Sequence, residues 1–200
     1  MTSLAGRTPA VFVDRDGVIC ENRADYVKSW SEFSFVPGSI EALASLSRAG
    51  CKVYIVTNQS VVGRGLVTRR MLDVIHEKML EVLNGAGAKI SGILVCPHHP
   101  DDDCMCRKPK PGMLLEADRR FKTDLPRSFV VGDARSDIEA GAQVGCETVL
   151  VRTGRGREAE RGPWGTHKPT FIADDLVDAA IWILARRAMM PQGAMEVRAR

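Results

Sequence analysis

The sequence predicts an α/β fold in three layers, a parallel β-sheet covered by helices on both faces. Two patterns predict it. Short apolar runs rich in β-branched residues alternate with helix-length amphipathic stretches along the chain, and the runs are continuously apolar, as strands buried on both faces require. The composition agrees: 200 residues with 44% hydrophobic and 26% charged side chains can build one sizeable core without disulfides.

The elements follow in order. Ala10–Val13 is the first strand, and a Pro-Gly turn opens a helix over Ser39–Ala49 that stops at Gly50. Lys52–Thr57 is the second strand. Thr68 is a capping residue for a helix that runs through Asn84 to a stop at Gly85. Gly92–Cys96 is the third strand, and Pro111–Phe121 is a helix opening on proline, which suits a first helical turn. Ser128–Gly132 and Glu147–Val151 are strands flanking a helix over Ser136–Val144, which ends at Gly145. The Gly- and Arg-rich stretch Arg152–Pro169 reads as a loop, Thr170–Ala173 as a weaker strand, and Asp175–Met190 as a last helix capped by Asp174 and ending before Pro191. There is no internal repeat, and a single domain over residues 1–190 with a flexible tail at 191–200 is expected.

A net charge of +3, from 28 Lys and Arg against 25 Asp and Glu, is too mild to call for nucleic acid or an anionic membrane as partner. No stretch is apolar enough to span a membrane and no secretory signal is recognisable, so a cytoplasmic protein is expected. Three of the six cysteines, Cys96, Cys104 and Cys106, crowd into eleven residues beside His98 and His99, which suits a metal better than disulfides.

Ligands of open α/β sheets bind beyond the carboxyl ends of the strands. The first strand ends in Asp14-Arg15-Asp16-Gly17, and strand alternation lets both carboxylates face one pocket. Acids this close repel unless a divalent cation neutralises them, and hard oxygen ligands suit Mg²⁺. The second strand ends in Thr57-Asn58-Gln59-Ser60, a set of donors for an anion. The fourth ends in Gly132-Asp133, a third acid for the Mg²⁺, with Asp137 in the next helix's first turn, where it also suits the helix dipole. Between them Arg107-Lys108-Pro109 offers the cations that phosphoryl transfer needs. Each signal alone also fits a solvated turn or a local cap; four in this order do not.

The segments DRDGVI, TNQS, RKPKPGM and VGDARSD resemble the four motifs of the haloacid dehalogenase (HAD) superfamily of phosphatases. ADYV, FSFVPGS, VGRGL and CPHHPDDDCMCRKPKPGM further resemble the D-glycero-D-manno-heptose-1,7-bisphosphate 7-phosphatase family and its relative, the histidinol-phosphate phosphatases. The resemblance spans about Ala10 to Gly154. It implies a Rossmann-like sheet with a zinc-binding loop insert, and the short intervals between motifs leave no room for a large cap domain.

The resemblance also implies roles. Asp14 attacks phosphorus to form an aspartyl-phosphate, and Asp16 protonates the departing sugar oxygen and then activates water. Mg²⁺ is held by Asp14, the backbone carbonyl of Asp16, and Asp133. Thr57 and Lys108 stabilise the phosphoryl oxygens, while Asn22, Arg23, Asn58, Gln59, Ser60 and Arg107 contact the rest of a small phosphorylated sugar. Cys96, His98, Cys104 and Cys106 make a closed set for structural Zn²⁺, with His98 preferred to His99 on the family's Cys-x-His spacing. A monomer is implied. Asp137 is a candidate for supporting this site without touching substrate.

The chain departs from the family pattern at Cys20, Val61 and Ala134, the last replacing a common lysine whose charge Arg135 or Arg64 is expected to supply. Arg15, Arg23, Arg64 and Arg107 lean towards a bisphosphate over histidinol phosphate, whose amine needs acids. Two further functions compete: a polynucleotide 3′-phosphatase, prompted by Gly63-Arg64-Gly65, and a non-catalytic zinc-stabilised module that holds an anion on its basic Arg152–Arg161 loop.

Overall fold

The computed structural model describes residues 6–190; the expected tail at 191–200 lies outside them. Six strands, β1 (Ala10–Val13), β2 (Lys52–Asn58), β3 (Ile90–Cys96), β4 (Phe129–Gly132), β5 (Glu147–Val151) and β6 (Phe171–Ala173), pair in parallel in the order β3-β2-β1-β4-β5-β6. This is the doubly wound order, and its direction reverses between β1 and β4, which places a crevice at their carboxyl ends.

Among the described residues, seven α-helices connect or flank the strands: α1 (Ser39–Arg48), α2 (Ser60–Gly63), α3 (Arg69–Gly85), α4 (Gly112–Phe121), α5 (Arg135–Ala142), α6 (Gly156–Arg161) and α7 (Leu176–Met189). The two-residue period of the strands divides the core. Val11, Val13, Val53, Ile55 and Val131 pack against α1, α3 and α7, whereas Ala10, Phe12, Tyr54, Val56 and Val130 pack against α4 and α5 on the other face.

Local chemistry explains the helix starts. The Thr68 hydroxyl accepts a hydrogen bond from the Met71 N–H at 3.2 Å, and the Asp175 carboxylate one from the Asp178 N–H at 2.9 Å. Two segments differ from expectation. The stretch 152–169, read as a loop for its glycines and arginines, contains α6, whose Glu160 binds Arg152 through two bonds of 2.7 and 2.8 Å. The turn after β2 contains the single-turn α2, too short to show a helical period.

Candidate active site

The β1–β4 reversal brings the predicted acids together. Asp14 leaves β1 with its N–H bonded to the Val131 carbonyl of β4 at 2.9 Å. Carboxylate oxygens of Asp14, Asp133 and Asp137 lie within 4.8 Å of one another. Gly17 and Gly154 close over Asp133: both take positive φ, and a Cβ on either would collide with the Asp133 carboxylate. The Arg155 N–H donates to the same carboxylate at 2.8 Å.

Lys108 enters from the other side, on the segment that follows the cysteine loop. Its ammonium lies 3.0 Å from Asp14 Oδ1 and 2.6 Å from Asp137 Oδ1, and donates to the Val56 carbonyl at 2.8 Å, so its three hydrogens are all used. The Asn58 amide fixes it there: Oδ1 accepts from the Lys108 N–H at 3.1 Å, and Nδ2 donates to the Lys108 carbonyl at 3.0 Å. Asn58 thus spends its amide on positioning the lysine.

The charges do not balance. Burial pushes the Asp14 carboxyl up to about 8, repulsion from Asp137, Asp133 and Asp16 adds to the effect, and Lys108 opposes it. Burial and Asp137 likewise raise Asp133 to about 6. Burial disfavours the Lys108 charge, but Asp137 and Asp14 more than compensate and hold it above the usual lysine value. Three buried acids facing one ammonium form an all-oxygen donor set with surplus negative charge, which fits Mg²⁺.

Asp16 is held differently. Its Oδ1 accepts from Arg15 Nη2 at 2.8 Å and its Oδ2 from Gln59 Nε2 at 2.6 Å, with the Thr57 hydroxyl 3.5 Å away. Burial works against its charge, but the Arg15 guanidinium and these hydrogen bonds outweigh it, and the carboxyl lies below its ordinary range.

A cleft of about 400 Å³ opens above these groups. Asp14, Asp16, Asn22, Arg23, Asn58, Gln59, Ser60, Arg107, Lys108 and Asp133 all line it. Thr57 is fully buried beneath it, its hydroxyl bonded to Gln59 Nε2 at 2.8 Å. Arg64 and Arg155 add to the cleft's cations, and Arg107 has a buried Nη1 with no hydrogen-bond partner.

Directly before Arg107 the cysteine loop folds on itself. Cys104 Sγ lies 3.5 Å from both Cys96 Sγ and Cys106 Sγ, and His98 Nδ1 lies 3.7 Å from Cys96 Sγ and 3.2 Å from Cys106 Sγ. None of these cysteines is in a disulfide. Ligands about 2.3 Å from a shared tetrahedral zinc would be spaced in this way. Burial raises the Cys96 thiol and lifts Cys106 to about 12, whereas at Cys104 burial is outweighed by hydrogen bonds from Cys106, Cys96 and the backbone, which hold that thiol below its ordinary value. His99 faces elsewhere, its Nδ1 accepting from the Asp101 N–H at 3.3 Å. The loop is anchored to the sheet by the Gly63 N–H, which donates to the Pro97 carbonyl at 2.8 Å, and a Cβ at Gly63 would strike the backbone of His98 and His99.

Known proteins resemble this chain in sequence and fold. A family model of HAD-hydrolase-like proteins matches residues 105–179. The D-glycero-β-D-manno-heptose-1,7-bisphosphate 7-phosphatase of Pseudomonas aeruginosa is 41% identical over 174 residues, covering 87% of this chain and 97% of that protein. The same enzyme from Neisseria meningitidis serogroup A is 40% identical over 180 residues, 89% of this chain and 96% of its own. The crystal structure of the B. bronchiseptica D,D-heptose 1,7-bisphosphate phosphatase complexed with magnesium and phosphate superposes with a TM-score of 0.84 at 39% identity, covering 90% of this chain and 99% of that one. The chain belongs to the heptose-1,7-bisphosphate 7-phosphatase family of HAD hydrolases.

Within the family fold, three sequence expectations need correction. Arg15 is 1% exposed and gives its guanidinium to Asp16 and to His76 Nε2, at 3.1 Å, so it is not available as a free cation for a distal phosphate. Arg135 cannot replace the lysine missing at position 134. Its guanidinium lies over the Trp164 ring and donates to the Ala159 carbonyl, away from the cleft. The Arg152–Arg161 stretch is not a free basic loop, because Arg152 pairs with Glu160 and with Asp174 at 2.7 Å. Two site residues escaped the sequence. Arg155 follows the end of β5 and was findable by the strand-end rule, whereas His76 occupies a buried position of an amphipathic helix and gave no signal.

Proposed function

We propose that this chain hydrolyses the C7 phosphate of D-glycero-β-D-manno-heptose 1,7-bisphosphate with Mg²⁺, through an aspartyl-phosphate on Asp14. The observation that carries this is the polarity of the cleft. Its only lining carboxylates among the described residues are Asp14, Asp16 and Asp133, whereas Arg23, Arg64, Arg107 and Arg155 line it from four different segments. A substrate with two phosphates meets such a surface favourably, and the amine of histidinol phosphate does not. The names of the relatives in Pseudomonas and Neisseria support the sugar and its β anomer.

Asp14 forms the new bond to phosphorus while the bond from phosphorus to the C7 oxygen breaks, and Asp16, ionised in the free site, takes up a proton when the charge of the substrate's phosphate enters beside it and delivers that proton to the departing oxygen. Asp16 then takes a proton from water, whose oxygen attacks the phosphorus of the aspartyl-phosphate and restores Asp14. Lys108, fixed by Asn58 and Asp137, holds Asp14 in line. Mg²⁺, with Asp14, Asp133 and the Asp16 carbonyl as its holders, supplies the positive charge that lets a carboxylate approach a phosphate dianion. Arg107 binds phosphoryl oxygens, and Asn22, Arg23 and Ser60 contact the sugar. Cys96, His98, Cys104 and Cys106 would hold Zn²⁺ in a structural role, since four protein ligands would leave it no open position for water or substrate. The enzyme acts as a single-domain monomer in the cytoplasm. Among the described residues, no helix is long and apolar enough to cross a membrane.

The test is phosphate release with Mg²⁺ from both anomers of the heptose 1,7-bisphosphate, histidinol phosphate and a 3′-phosphorylated oligonucleotide. The β-bisphosphate is expected to give the highest kcat/KM. A higher value for any other substrate overturns the assignment.

A further inference from the structure

His76 lies on α3, an element that otherwise only packs the core, yet its ring reaches the reacting groups through one intermediary. Arg15 stands between the two acids in sequence, and the alternation that turns Asp14 and Asp16 to the cleft turns Arg15 inward. There its guanidinium is buried, bridging His76 Nε2 at 3.1 Å and Asp16 Oδ1 at 2.8 Å, while its Nε has no partner. Arginine can only donate, so His76 Nε2 must accept and the imidazole must be neutral with its proton on Nδ1. Burial and the Arg15 charge favour that form, holding the ring down at about 3. A buried cation is costly to keep where an apolar side chain would pack, and its partners show what it secures.

We propose that His76 is a positioning residue for proton transfer: by accepting from Arg15 Nη1 it fixes the guanidinium that holds Asp16 Oδ1, and so fixes the orientation of the carboxyl that protonates the leaving oxygen. Gln59 holds the other oxygen at 2.6 Å. The carboxyl plane is thus clamped from both sides, and loosening one side lets it rotate away from the leaving group. The inference rests on the assignment of Asp16 as the acid–base residue.

The test compares H76L, which fills similar space but cannot accept, with H76Q, whose side-chain oxygen can. The readout is kcat/KM, which reports steps up to departure of the leaving group, for the heptose bisphosphate and for p-nitrophenyl phosphate, whose phenolate leaves without a proton. H76L is expected to lose about tenfold or more on the sugar phosphate and less than about threefold on the aryl phosphate, with H76Q within about threefold of wild type on both. Should H76L not fold, H76N, whose shorter amide falls short of Arg15, takes its place. An equal loss on both substrates, or a loss that H76Q does not rescue, overturns the proposal and leaves His76 a packing residue. D16N separates the two levels: if it is inactive on the sugar phosphate while H76L matches wild type, only the His76 inference falls. If D16N retains wild-type activity on the sugar phosphate, the role of Asp16 falls and the inference with it.

Discussion

The molecule carries two donor clusters, one on each side of Lys108, and they are built in opposite ways. Asp14 is far in sequence from Asp133 and Asp137, and the register of β1 with β4 brings them together. Cys96, His98, Cys104 and Cys106 come from eleven consecutive residues whose regular structure, apart from the end of β3, is a short 3₁₀ turn over Pro100–Asp102. The sheet holds the acids in place whether or not a cation is present, at the cost of unbalanced charge. Under the proposed zinc assignment, the cysteine loop takes its shape from the cation its four ligands would share. The oxygen cluster is therefore expected to govern chemistry, and the sulfur cluster to govern the placement of Arg107 and Lys108.

Substitutions can break this contrast. D14N removes the proposed nucleophile from a rigid floor, so activity should fall by about 10⁴-fold or more with the circular dichroism spectrum unchanged. C104S opens the tetrahedral set, and zinc per chain should fall from about one to near zero, with Tm lowered by roughly 10 °C and kcat/KM by about 100-fold. If C104S kept its zinc and its activity, the loop would not be metal-built. N58A frees the Lys108 backbone without touching its ammonium, and kcat should fall by about tenfold, as expected for leaving two buried backbone groups unpaired. R107A should mainly raise KM, by about tenfold, because its buried Nη1 lacks a partner until an anion arrives.

The smallest effect is on stability and sharpens the same contrast. Asp14 and Asp133, at about 8 and about 6, bind protons more tightly folded than unfolded. Zinc-loaded protein without Mg²⁺ should therefore lose stability as pH rises from about 4 through 8, because the folded state holds protons that the unfolded state has released. Mg²⁺ should flatten that slope, and differential scanning calorimetry across this range reads both.

Much of this was legible in the chain. The alternation of apolar runs and amphipathic stretches marked all six strands and five of the seven helices, and the strand-end acids and the cysteine spacing located both clusters. Three features were not legible, for separate physical reasons. Four- and six-residue helices such as α2 and α6 are too short to show a period, and the glycines in and around α6 argued for a loop. Arg15 looked like an accessible cation because sequence does not tell which side of a strand end is buried. His76 is the extreme case, since its partner is 61 residues away in sequence.

The most direct test of the account is to find where the phosphoryl group goes. Rapid acid quench of the enzyme turning over heptose 1,7-bisphosphate labelled with ³²P at C7, followed by peptide mapping, should place the label on the peptide containing Asp14, and D14N should carry none. Label on another residue, or full turnover with no labelled enzyme at any quench time, would contradict the assignment of Asp14 as nucleophile and the function built on it.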